Sequence, residues 1–283
     1  MPPSDEKLQS WVQDIAFERT GPLRRLVKGA VVNPAANWLP AALLRWLLRV
    51  TKSELAAANW ADPGGWRSMV VSYEGRPRQI ADKVLVGGGT MAMALRNRKR
   101  LVSRILARLI EDASARPAHV LCLGAGPGCN IIEAMCEARA DSIATLVDLS
   151  GEAFEYGRRL ASERGLDGRV RFVQGDVRQV GGLLDRPPDI VKLVGICEYL
   201  ADAQIGEVAG ALAAVMPPGA PVVANSLSKA HGTDRFFRRV FGLHMAHRGV
   251  AELEKLLAPA GFAQFRSCAE PLGVYHVLVG RRQ

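Results

Sequence analysis

From residue 117 onward the chain alternates short apolar runs with segments of helical period, and this alternation narrows its fold more than any other feature. The runs are "AHVLCLG", "SIATLVDLS", "RVRFVQGD", "DIVKLVGI" and "APVVANSLS"; "NIIEAMCEARA", "GEAFEYGRRLASERG" and "AQIGEVAGALAAVMP" lie among them. Runs that are apolar almost throughout suit strands covered on both faces. Strands joined by helices of this length pair in parallel through right-handed crossovers. The chain closes with the helix "GVAELEKLLAPAG" and the runs "FAQFRSCAEP" and "GVYHVLVGRR", linked too tightly for a crossover, so one of that pair is antiparallel. The pattern predicts an α/β fold, a doubly wound, mostly parallel seven-stranded sheet over residues 116–283.

Residues 1–115 read as helical, with breaks at "TGP", "NPAANWLP", "ADPGGW", "YEGRPR" and "VGGGT". In 91–112 the apolar residues Leu95, Val102, Ile105, Leu106 and Leu109 recur at helical spacing, which places one stripe on a core. This prefix is expected to form a lid or substrate cap, with Trp38, Trp46, Trp60 and Trp66 over the carboxyl ends of the strands. The formal net charge of +9 is dispersed in short pairs, which predicts a solvated basic surface and no nucleic-acid partner. The stretch 37–51 carries Arg45 and Arg49, reads as an amphipathic helix and not a membrane span, and leaves no membrane partner expected. Five cysteines without a CxxC pair, and an N-terminus without a signal-like apolar stretch, point to reduced thiols and a cytoplasmic protein.

In "HVLCLGAGPGCN" the first strand runs into Gly124, Gly126 and Gly128. Glycines there permit positive φ and remove side chains that would block a ligand at the next helix's N-terminus; a tight strand–helix turn needs glycine too. Asp148 ends the second strand, where a carboxylate can accept from two ribose hydroxyls. Asp176, in "VQGDV", reaches the same crevice unless it serves only as a helix cap.

"VLCLGAGPGCN", "ATLVDLS", "VRFVQGDV" and "DIVKLVGICEYL" together resemble the successive motifs of class I S-adenosylmethionine (SAM)-dependent methyltransferases. The resemblance implies that Gly124, Gly126 and Gly128 lie near the methionine moiety of SAM, Asp148 on the ribose, and Asp176 at the adenine amino group, with Leu149 and Val177 flanking the adenine. Gly195 follows in the fourth-strand motif as a further cofactor contact. Many members carry an acidic residue two before the first glycine; this chain has Cys122. A dinucleotide enzyme is disfavoured because the G-x-G-x-x-G spacing is missing, with Cys129 in the final glycine's place.

The fourth-strand motif reads "VGICEYL" and lacks the Pro-Pro-aromatic sequence of enzymes that methylate planar amines, so a small-molecule acceptor is expected. Tyr199 is a candidate to face the sulfonium, or else packs the following helix. Glu198 is either a base or a solvent-facing charge. Asn225 and Ser226 end the fifth strand and either face the crevice as catalytic groups or form a turn. Tyr73 and Arg96, or its neighbour Arg98, are expected to reach the SAM carboxylate. His244 and His247 lack a carboxylate partner at ligand spacing, and no metal is assigned. Two reactions remain open: methyl transfer to a small metabolite, or a lyase/cyclase reaction on SAM alone, as in azetidine-2-carboxylate synthases.

Overall fold

The computed structural model describes residues 3–283, so the first two residues of the N-terminal stretch lie outside it. Helices precede the sheet: α1 (Asp5–Val12), α2 (Pro22–Val27), α3 (Asn33–Trp38), α4 (Ala41–Val50), α5 (Glu54–Ala61), α6 (Trp66–Glu74), α7 (Ile80–Leu85) and α8 (Thr90–Asp112). A π-turn over Lys28–Val32 joins α2 to α3. Serines cap two of these helices: Ser4 accepts from the Lys7 amide and Ser53 from the Ala56 amide.

The alternating part then gives β1 (Ala118–Leu123), α9 (Cys129–Glu137), β2 (Ser142–Asp148), α10 (Glu152–Glu163), β3 (Val170–Gln174), β4 (Ile190–Leu193), α11 (Asp202–Val215) and β5 (Pro221–Leu227). It continues with α12 (Asp234–Phe236), α13 (Val250–Leu257), β6 (Phe262–Ala269) and β7 (Tyr275–Arg282). The seven strands lie in the order β3-β2-β1-β4-β5-β7-β6. All pairs are parallel except those of β7, which runs antiparallel to both β5 and β6. This is the architecture the alternation implies, including the antiparallel closing pair.

The central strands β1, β4 and β5 are buried throughout because both faces are covered, whereas the edge strands β3 and β6 are partly exposed. Val120 and Cys122 of β1 join the core formed with α1, α8 and α9, while Leu121 and Leu123 join the one formed with α11 and α13. Helix α8 belongs to this packing although it precedes the sheet in sequence. Leu101, Val102, Ile105 and Leu106 are fully buried, and α8 lies along α9 and β7. Burying four such side chains contributes on the order of 6–12 kcal/mol. The N-terminal half of α8 instead enters a third cluster, where Met91 and Leu95 meet Phe236, Val240 and Phe241. One helix thus ties the prefix to the sheet. Beside β1, which pairs with both β2 and β4, the strand order reverses, and the crevice past the carboxyl ends opens there.

Candidate functional site

The chain leaves β1 through Gly124, Gly126 and Gly128, all at positive φ (57°, 52° and 76°). Their requirements differ. A Cβ on Gly126 would meet nothing nearer than Trp66 Cβ at 3.6 Å, so this position is bare where the loop lines the cavity. A Cβ on Gly128 would stand 2.2 Å from Leu146 Cδ2. Gly128 is therefore fixed by packing at the start of α9 and, unlike Gly124 and Gly126, does not line the cavity; the expectation that it faces the ligand is corrected.

Asp148, at the end of β2, closes on this loop. Its Oδ2 accepts from the Gly126 amide at 2.7 Å and its Oδ1 from the Ser150 amide at 2.9 Å. Each carboxylate oxygen retains a lone pair for a further donor. Asp176 lies at the same rim, but Arg178 occupies both of its oxygens, and those hydrogen bonds hold the Asp176 carboxyl down to about 2. Leu149 and Val177 also line the cavity, as does Gly195, whose amide donates to Asn225 Oδ1 at 2.8 Å.

The cavity has a volume of about 760 Å³, and besides the glycine loop its lining includes the apolar side chains Met69, Leu95, Phe236, Phe241, Leu243 and Met245. A buried charged pair also contributes to the lining. The Arg98 guanidinium donates to Glu198 Oε1 at 2.9 Å and to the Tyr73 hydroxyl at 3.4 Å, and lies 4.5 Å above the Tyr275 ring. Both charged side chains are nearly inaccessible, at 3% for Arg98 and 4% for Glu198. Among the described residues, Arg98 Nε and Glu198 Oε2 have no hydrogen-bond partner. Tyr199 lines the cavity beside them, and burial pushes its phenol well up, so it stays a neutral donor. Lys192, across from Cys122 in the β1–β4 register, adds a second buried cation whose ammonium donates to the Val194 carbonyl. Burial lowers its pKa. It also pushes the Cys122 thiol up to about 11, so Cys122 is an uncharged core residue that does not line the cavity.

Several expected site residues lie elsewhere. Arg96 is engaged by Glu18, which takes Nε and Nη2, and by the Ser72 and Val86 carbonyls, so it ties α8 to the prefix and does not line the cavity. Arg98, the alternative to Arg96, lines the cavity with its guanidinium turned onto Glu198. Asn225 and Ser226 are buried in β5 behind the cavity wall; Asn225 braces Gly195 and neither residue touches the cavity space. Glu198 faces inward and not toward solvent. Of the tryptophans, Trp66 lines the cavity and Trp60 donates to the Val240 carbonyl, but Trp38 and Trp46 point outward. His247 stacks on His231 with their Nε2 atoms 3.1 Å apart, and His244 is exposed. Lys192, Arg178 and Tyr275 escaped sequence reasoning. The signal for Lys192 was present, as a lone cation inside the apolar run "DIVKLVGI".

Comparison with known proteins places the chain in a family. A family model described as "Putative methyltransferase" matches residues 88–282. The curated protein YnbC of Escherichia coli (strain K12) is 24% identical over 202 residues, 67% of this chain and 34% of YnbC; the chain thus spans about a third of that relative's length. Among solved structures, a possible exported protein from Bordetella parapertussis superposes with a TM-score of 0.66 at 19% identity, covering 93% of this chain and 99% of that one. Magnesium protoporphyrin IX methyltransferase from Synechocystis PCC 6803, solved with bound SAM, gives 0.54 at 15% identity over 94% and 100% of the chains. An O-methyltransferase family protein from Burkholderia thailandensis gives 0.55 at 18% identity over 81% and 69%. At these identities the structural likeness is one of fold.

Proposed function

The chain belongs to the family described as "Putative methyltransferase", and from that premise we propose that it transfers the methyl group of SAM to a small-molecule acceptor. The observation that carries this reading is that one cavity is lined both by the Asp148–glycine loop and by a set of apolar side chains, among them Phe236, Phe241, Leu243 and Met245, suited to an acceptor. A reaction on SAM alone has no use for that apolar lining, which favours transfer between two molecules over intramolecular cyclisation. SAM-bound structures on the same fold support the cofactor.

The residues present fit such a cofactor. The lone pairs left on Asp148 can accept from two adjacent ribose hydroxyls, and the bare Cα of Gly126 lets the ligand approach the backbone. Bound SAM supplies an electrophilic methyl on a sulfonium; the protein orients the partners and keeps water out. Tyr73 and Tyr199 offer aromatic faces on the cavity wall, suited to a cationic centre at about 0.5–2 kcal/mol each. Lys192 and Arg98 suit a carboxylate, the part expected of Arg96 or Arg98. Glu198 also lines the cavity, but its Oε2 is buried, so its part is to hold the Arg98 guanidinium in place. The adenine amino group must share Asp176 with Arg178.

Incubation with methyl-labelled SAM and a small-molecule extract, followed by mass spectrometry, tests the proposal. It predicts labelled acceptor and an equal amount of S-adenosylhomocysteine. Methylthioadenosine formed from SAM alone would refute it in favour of the lyase/cyclase reaction.

A further inference from the structure

The expectation of a chain without a membrane partner rested on the arginines of 37–51, and in the structure an apolar stripe of that helix faces solvent. In α4, Leu43, Trp46, Leu47 and Val50 follow the i, i+3, i+4, i+7 spacing of a buried stripe, yet all four are exposed, Trp46 at 57% and Val50 at 61%. The helix's two arginines are exposed as well, with their guanidinium groups bent back over the protein. The Arg45 guanidinium donates back to the Val240 carbonyl, and Arg49 lies over the Trp60 ring. Leu48 alone of the helix is fully turned into the core. The same exposure holds upstream, where Leu23 is 74% exposed, Leu26 68% and Trp38 69%. Exposed apolar surface on this scale marks an interaction site.

Charge identifies the partner. Residues 19–53 contain seven basic side chains (Arg19, Arg24, Arg25, Lys28, Arg45, Arg49, Lys52) and no acidic one. A second copy of the chain, docked through a two-fold axis, would place this cationic segment against itself with no carboxylate of its own to pair with. A surface of anionic headgroups over acyl chains matches both properties: it accepts Trp, Leu and Val into its outer layer and attracts each cation by about 1 kcal/mol. No helix among the described residues is long and apolar enough to cross a membrane, so the fit is to a surface and not a span. The segment also forms part of the cavity wall: Val27 and Val32 are at once exposed and cavity-lining, and Lys28 lies between them. We propose that residues 22–50 are a docking surface for an anionic phospholipid membrane, and that docking brings the cavity's α2–α3 wall to the bilayer.

Co-sedimentation of the full chain with phosphatidylglycerol/phosphatidylcholine vesicles, compared with pure phosphatidylcholine, tests this without any reference to SAM. The chain should sediment with the anionic vesicles, remain in solution with the neutral ones, and lose binding as salt rises. Trp46→Glu/Leu47→Glu should lower the partition coefficient at least tenfold while the thermal unfolding transition is kept, since both side chains are exposed. Arg25→Glu, a milder change, should lower it about fivefold or more at low salt, from about 1 kcal/mol per basic residue. Wild-type chain that stays in solution with anionic vesicles overturns the proposal, as does unchanged binding of both variants. It is equally overturned if analytical ultracentrifugation shows a dimer that Trp46→Glu/Leu47→Glu converts to monomer, because the face is then an interface between copies.

Discussion

Replacing Glu198 by Leu should cost about 3–5 kcal/mol, because the Arg98 guanidinium would stay buried without its counter-ion. Arg98 has no other escape: a guanidinium does not lose its proton in proteins, and its remaining contacts are the Tyr73 hydroxyl at 3.4 Å and the face of Tyr275. Arg98→Met should also destabilise, but differently. It strands the Glu198 carboxylate and forfeits the Tyr275 stacking, worth about 0.5–2 kcal/mol, yet a stranded carboxyl can neutralise itself by taking a proton. The loss in Arg98→Met should therefore shrink toward acidic pH, while that in Glu198→Leu should not. Combining the two removes both charges and both unpartnered atoms, Nε and Oε2, and should bring stability back to within about 1–2 kcal/mol of wild type. Urea unfolding followed by tryptophan fluorescence reads all three, provided the slope of the transition is unchanged. Single losses that simply add in the double variant would refute the reasoning, since a coupled buried pair must show a large interaction energy.

Gly128→Ala should cost about 2–4 kcal/mol, from a left-handed backbone and a Cβ forced onto Leu146, whereas Gly126→Ala, which meets no such neighbour, should cost less stability and weaken cofactor binding; calorimetry and urea unfolding separate the two. Burial, with the neighbouring His247, lowers His231 to about 4, so its contribution is complete above the unfolded value near 6.5 and is lost as pH falls toward 4. The wild type should lose about 2 kcal/mol more between pH 8 and pH 5 than His231→Gln does, and equal losses would contradict the assignment.

The sheet was legible because strands covered on both faces must be apolar throughout, and Asp148 because it ends such a strand beside the glycine turn. What failed was direction. Arg96 and Arg98 are two residues apart on α8, about 200° around the helix, so one meets Glu18 and the other the cavity. The rotation of α8 is set by the elements that pack on it, which lie up to two hundred residues away in the chain. Arg98 does fall on the apolar stripe between Leu95 and Val102, and a charge on such a stripe is a signal that can be read. Asn225 and Ser226 end a strand covered on both faces, and their positions alone do not tell that Gly195 claims the amide oxygen. The outward face of α4 was hidden for a similar reason: an apolar stripe looks the same in sequence whether protein covers it or not.

Calorimetric titration of SAM and S-adenosylhomocysteine into the wild type and Asp148→Ala tests the central claim most directly. The account predicts one site per chain for either ligand, with affinity falling roughly tenfold to a hundredfold in the variant, as expected for a lost charged hydrogen-bond partner worth about 1.5–3 kcal/mol. No binding to the wild type, or equal binding to both proteins, would contradict it.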